Sequence, residues 1–117
     1  MDELGEQLAG WGKVLRVETR GRVSGRPVEV ALGYVDEPDG SVLVAAGSPD
    51  ADWARNLDAD PAARVTVGDR QWAAFADQLE GADAQRAVRE LILKYGTPAE
   101  RLGLGPVYRL RHAGAAD

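Results

Sequence analysis

Two periodicities share this chain. Apolar and polar residues take turns in Lys13–Thr19 (KVLRVET) and again in Val28–Val35 (VEVALGYV), where Val28, Val30, Leu32 and Tyr34 fall on one face. A period of two belongs to a strand with one side in a core. A Pro38-Asp39-Gly40 turn leads to a third strand, Ser41–Ala46 (SVLVAA), and the three predict an antiparallel meander. The period then lengthens. Ser48-Pro49-Asp50 has the parts of a helix start: a serine cap, proline at the first helical position and aspartate in the first turn. About two turns, Ala51–Leu57, are expected to follow and to stop at the polar Asp58-Ala59-Asp60-Pro61. Alternation returns in Arg64–Val67 and Gln71–Ala76, a hairpin across Gly68-Asp69. Ala82–Tyr95 is the longest helical stretch, with Ala84, Val88, Leu91, Ile92 and Tyr95 on one stripe and Gly96 as its stop. Val107–Leu110 supplies a last strand, and Met1–Ala9 a short helical lead-in.

The order β-β-β-α-β-β-α-β lacks the βαβ rhythm of a dinucleotide-binding fold. It predicts a mainly β chain with α (α+β), a small antiparallel barrel with helices at its openings, in one domain over residues 1–117. That length encloses a core without covalent staples. There is no cysteine, which excludes disulfides, thiolate nucleophiles and cysteine-ligated metals. A net charge of −5 speaks against the broad basic face of a nucleic-acid binder. The start, MDELGEQLAGWGK, lacks the basic residues and apolar run of a signal peptide, and no apolar run nears the ~20 residues of a membrane span. A cytoplasmic protein with neither nucleic acid nor membrane span is expected.

Against that acidic background one stretch is basic. TRGRVSGRP, Thr19–Pro27, carries Arg20, Arg22 and Arg26 with the hydroxyls of Thr19 and Ser24 and the glycines 21 and 25. Arginines can fork onto phosphate or carboxylate, and glycines let backbone N–H groups turn inward. The same residues also suit a hairpin that merely keeps the surface wet, and spacing alone leaves both readings open. The opening at Ser48 offers a second set of free N–H groups to an anion. Other candidates are thinner. His112, the single histidine, is expected as a solvated tail residue, and no metal site is expected. The acidic runs at 36–40 and 58–60 read as turns with solvated charges. Trp72 alternates with Ala74 and Ala76, which suits core packing, whereas Trp53 suits a ligand or a barrel plug equally. An enzyme so poor in reactive side chains would borrow its chemistry from a cofactor.

The stretch from about Val14 to Arg70 resembles the deazaflavin-dependent nitroreductase family, whose fold is a split β-barrel. The family's Thr-x-Gly-Arg-x-Ser-Gly hairpin is matched by Thr19, Gly21, Arg22, Ser24 and Gly25, and its Trp-x-x-Asn-Leu helix with a following proline by Trp53, Asn56, Leu57 and Pro61. Val67–Arg70 matches the Val-Gly-Asp-Arg end of its next strand, and Pro106-Val107-Tyr108 extends the likeness more loosely.

The resemblance implies coenzyme F-420 as cofactor, with its phosphate and acidic tail at the arginine hairpin, and hydride transfer to a nitro compound, quinone or activated alkene. By position, Arg22, Ser24 and Gly25 would hold the phosphate region, with Gly47 and Ser48 adding backbone donors. Trp53 and Asn56 would line the ring or ribityl side, and Tyr95 would face the substrate as the catalytic group. The family often carries lysines where this chain has Val23 and Ser48, which leaves Arg20 and Arg26, beside Arg22, to compensate for the missing cations. Proteins of this fold also use FMN or haem, or bind lipids. An FMN reductase and a non-redox barrel for a fatty acid or another small molecule are therefore the alternatives. A homodimer through exposed strand edges is expected.

Overall fold

In β1 (Leu15–Arg20), Leu15, Val17 and Thr19 are buried while Arg16, Glu18 and Arg20 face outward, so the alternation in sequence becomes the two faces of a sheet. The structure, a computed structural model, describes residues 14–96 and 105–113; the expected helix Met1–Ala9 lies outside the described residues. The remaining elements are β2 (Pro27–Leu32), β3 (Val35–Asp36), β4 (Val42–Ala45), α1 (Asp52–Ala59), β5 (Ala62–Val67), β6 (Arg70–Leu79), α2 (Gly81–Tyr95) and β7 (Val107–His112). The strands form one seven-stranded antiparallel half-barrel in the order β2-β1-β5-β6-β7-β4-β3.

Two cores use the two faces of this sheet. Leu15, Val17, Val44, Val65, Tyr108 and Leu110 point inward and are closed off by Trp53, Ala54 and Leu57 of α1. Leu43, Ala45 and Val107 point outward and are covered by Ala87 and Leu91 of α2. All four residues of β4 are buried, because one face meets the barrel interior and the other meets α2. This explains the unbroken apolar run in its sequence.

Three sequence-based expectations change. The expected Val28–Val35 strand is two strands: β2 and β3 are separated by Gly33 and Tyr34 and end at opposite edges of the sheet, so there is no three-stranded meander. Leu32, at the end of β2, and Tyr34, in the connection, both turn to the main core, so the alternation runs on across the break. The chain can pass there because Gly33 has no side chain: a Cβ would stand 3.0 Å from the Tyr95 ring. Ser48 does not cap α1. Its hydroxyl accepts from the Asp50 amide (3.1 Å) in a separate turn, and the N-cap residue is Ala51, with no side-chain cap. The helix then runs through Asp58 and Ala59, since Asp58 accepts the Tyr108 hydroxyl (2.8 Å) and is anchored there.

Two charge expectations change as well. His112 is not a solvated tail. It belongs to β7, its ring stacks on Trp72 (centroids 4.8 Å apart, 8° between planes), and its Nε2 lies 3.0 Å from the Gly40 carbonyl. Glu37, in the first acidic run, is only 11% exposed and pairs with Arg86 at 2.6 Å. The Trp72 expectation holds: its side chain packs against the main core.

Tyrosines tie separate segments together. The Tyr108 hydroxyl bonds α1 through Asp58, and the Tyr95 hydroxyl accepts from the Tyr34 amide (3.0 Å) and reaches the Tyr34 carbonyl (3.3 Å). Burial pushes the hydroxyls of Tyr34, Tyr95 and Tyr108 above the ordinary tyrosine value of 10.0, with the Asp58 carboxylate adding to the effect at Tyr108. A folded value raised above the unfolded one stabilises fully below the unfolded pKa and is lost as pH climbs through the folded value. Lys94, lowered by burial, works in the other sense up to its ordinary 10.5. Melting temperature is therefore expected to fall steeply above about pH 11, when the lysine effect has ended, and thermal denaturation across that range measures it. A curve still rising there would contradict the tyrosine assignment.

Candidate functional site

The basic hairpin loop is built to hold one shape. Between β1 and β2, the Gly21 amide donates to the Arg26 carbonyl (2.8 Å) and the Gly25 amide to the Gly21 carbonyl (2.8 Å). The Arg26 amide donates to Ser24 Oγ (3.1 Å). Gly21 is needed for this closure, because a Cβ would meet Ser24 Oγ at 2.8 Å and the Arg26 carbonyl at 3.2 Å. Gly25 has a φ of 73°, the left-handed region that glycine occupies at little cost.

Helix α1 fixes the loop from behind. Asn56 is 2% exposed and uses its amide in both directions. Its Nδ2 donates to Thr19 Oγ1 (3.1 Å), while its Oδ1 accepts from the Arg22 amide (3.2 Å) and from Arg22 Nη1 (2.8 Å). Arg22 Nη2 also pairs with Asp52 Oδ1 at 3.2 Å. The two motifs far apart in sequence, Thr-x-Gly-Arg and Trp-x-x-Asn, are thus one hydrogen-bonded unit. Buried polar groups demand such partners, since an unpaired one costs about 1–3 kcal/mol.

Three grooves surround the loop. One of about 400 Å³ lies on β1, β2 and β5, bordered by Glu18, Arg20, Pro27 and Arg64. A second of about 380 Å³ runs along Arg20–Gly25 and Asp60, and a third of about 260 Å³ lies between the loop, Val28, Asp52 and Asn56. Bonds within the loop use the amides of Gly21, Gly25 and Arg26 and the bond to Asn56 uses that of Arg22, so among the described residues those of Val23 and Ser24 are left to donate elsewhere. Guanidinium groups with unengaged amides and a serine hydroxyl are donors that suit a phosphate or carboxylate. This donor set fits the anionic end of a phosphorylated coenzyme.

The structure brings Thr19, Gly21, Arg22, Ser24, Gly25 and Asn56 into this one site. Trp53 lies one turn before Asn56 but faces the core, 8% exposed and edge-on to Tyr108 at 5.7 Å. Gly47, Ser48 and Tyr95 border none of the three grooves. Tyr95 instead clamps the β2–β3 crossing through the Tyr34 backbone. Sequence reasoning overlooked Asp60 and Arg64. Neither belongs to a local motif, and only the pairing of β1 with β5 carries them to the hairpin.

Over residues 2–101 the sequence matches the family described as F420H(2)-dependent quinone reductase. The chain belongs to that family. This F420H(2)-dependent quinone reductase family member is an oxidoreductase whose cofactor is coenzyme F-420. A solved F420-H2 dependent reductase (FDR-A) is 27% identical, with 85% of this chain and 94% of that one covered and a TM-score of 0.73. A structure described as a domain-swapped dimer is 25% identical, with 93% and 95% covered and a TM-score of 0.73. The heme storage protein HutZ from Vibrio cholerae, 19% identical over 94% and 88%, TM-score 0.74, shares the fold alone. No curated protein matches the chain. No helix among the described residues is long and apolar enough to cross a membrane.

Proposed function

We propose that the Gly21–Arg26 loop holds the anionic end of F-420 and that the protein reduces a small organic acceptor in the cytoplasm: a quinone, an activated alkene or a nitro compound. When bound, the reduced coenzyme supplies a hydride, which with one proton converts a quinone to its hydroquinone. The observation that carries the reading is the lock between Asn56 and Arg22, which presents a preformed, donor-rich loop beside the 380 Å³ groove. Ser24 and the loop amides supply neutral donors, and the arginines supply charge. Thr19, Gly21 and Asn56 serve by holding the loop, and Trp53 by seating α1. Preorganisation of this kind lowers the entropy lost on binding. Tyr95 contributes by fixing α2 against the sheet, its hydroxyl already engaged by Tyr34. β2 is an edge strand with Val28 41% exposed, which supports pairing with a second copy in a homodimer.

The test is a fluorescence titration with F-420, followed by reoxidation of the reduced coenzyme by a quinone or a nitroaromatic. Affinity should be micromolar and fall with added salt, because the contacts are partly exposed. Arg22→Ala should weaken it roughly tenfold or more, since charge-assisted bonds hold the loop together. No F-420 binding at low salt, with tight retention of FMN or a fatty acid, would overturn the reading.

A further inference from the structure

Two of the grooves meet at one ion pair. The 400 Å³ groove and the 380 Å³ groove share three bordering residues: Arg20, Gly25 and Asp60. Arg20 Nε stands 3.9 Å from Asp60 Oδ2, with the side chains 70% and 39% exposed. A pair that long and that open contributes almost nothing to stability. Asp60 also follows the last turn of α1, where the negative end of the helix dipole disfavours a carboxylate. Among the described residues its carboxylate makes one hydrogen bond, Oδ1 accepting the Ala62 amide (3.1 Å), which an asparagine oxygen would accept equally well. Nothing in the packing therefore calls for a charge at position 60.

Arg22 differs. Its guanidinium is held by Asn56 and Asp52 and the side chain is 27% exposed. Its charge already has a carboxylate partner in the chain, Asp52 at 3.2 Å. Arg20 borders both grooves and among the described residues is held only by the long contact to Asp60, so its guanidinium is free to turn; Arg64 borders the 400 Å³ groove alone and donates to Gln71 Oε1 (3.5 Å).

We infer that Arg20 is the arginine that binds an anionic group of the coenzyme, and that Asp60 sets the affinity by competing with that anion for Arg20 and repelling it. The inference rests on the proposed hairpin site and names the residues that tune it. A carboxylate in this place keeps the coenzyme exchangeable, as a coenzyme that must be reduced elsewhere between turnovers has to be.

The experiment measures F-420 affinity by fluorescence, with no acceptor present, for the wild type, Asp60→Asn, Arg20→Gln and the double variant. Melting temperatures serve as the control for folding. Asp60→Asn should bind about fivefold more tightly, because one exposed like charge is removed and Arg20 is released. Arg20→Gln should bind about tenfold more weakly. In the Arg20→Gln background, Asp60→Asn should recover clearly less than its fivefold gain, because the cation it competes for is gone. Wild-type binding with no gain from Asp60→Asn, or no loss from Arg20→Gln, would overturn this inference and leave the hairpin site standing. A wild type that binds no F-420 would overturn both.

Discussion

Asn56→Ala is expected to lower stability by about 2–3 kcal/mol and to weaken F-420 binding at least tenfold. The first effect follows from what the amide satisfies. Without it, the Thr19 hydroxyl, 2% exposed, loses its partner, and so does the Arg22 amide. A buried group left unpaired costs about 1–3 kcal/mol, and the Thr19 hydroxyl is such a group, whereas the half-buried Arg22 amide loses less. The second follows from the lock: a loop no longer tied to α1 samples conformations in which its donors do not converge, and binding must bear the cost of ordering it. Asn56→Asp distinguishes positioning from mere packing. Its carboxylate can still accept from Arg22, and the Thr19 hydroxyl can donate to it, so it should recover much of the affinity lost in the alanine variant. Chemical denaturation and fluorescence titration read the two effects separately. An alanine variant that is destabilised yet binds F-420 at full strength would show that the loop keeps its place unaided.

A larger loss of stability with no loss of binding is expected from Leu91→Ala. Leu91 is fully buried in the outer core with Leu43, Ala45, Ala87 and Val107. Truncating such a leucine removes buried area and leaves a cavity, at about 2–5 kcal/mol. That core lies on the opposite face of the sheet from α1, and Leu91 borders none of the grooves around the hairpin. Denaturant unfolding should show the loss, while F-420 affinity measured at a temperature where the variant is folded should match the wild type. A parallel drop in affinity would mean that α2 shapes the coenzyme site through the sheet.

The pairing of these two variants shows why the chain has two helices of different kinds. α1 is short and amphipathic, with one face in the barrel and a single polar residue, Asn56, buried with it. α2 is longer, and its burial is purely apolar. One helix carries information from the core to the hairpin, and the other closes the outer face.

Much of this was legible along the chain. Strand alternation in β1 and β5, the unbroken apolar run of β4 and the 3.6-residue stripe of α2 are local periodicities, and burial of one face follows from them directly. The hairpin glycines were legible too, because the positive φ of Gly25 is a property of a single residue. Other features had no local signal. The break at Gly33 was invisible, since Tyr34 in the connection presents its side chain to the same core as Val30 and Leu32 of β2 and so continues their alternation. The serine at position 48 satisfied a local turn as well as it would have satisfied a helix cap, and hydrogen-bonding competition of that kind cannot be settled from spacing.

The sequence by itself determined the class of the fold, a mainly antiparallel β domain, because periodicity is a sum over neighbours in the chain. At the arginine hairpin, composition left an anion site and a solvated loop both open, and the family resemblance favoured the anion. Only the tertiary structure decided what each arginine meets. Arg20 and Arg22 are two residues apart with the same chemistry, but Arg22 meets Asn56 and Asp52 on α1 while Arg20 meets Asp60 at arm's length. Charge is a property of the residue, whereas its availability to a ligand depends on partners that lie some 30 to 40 positions away and arrive only when strands and helix pack together.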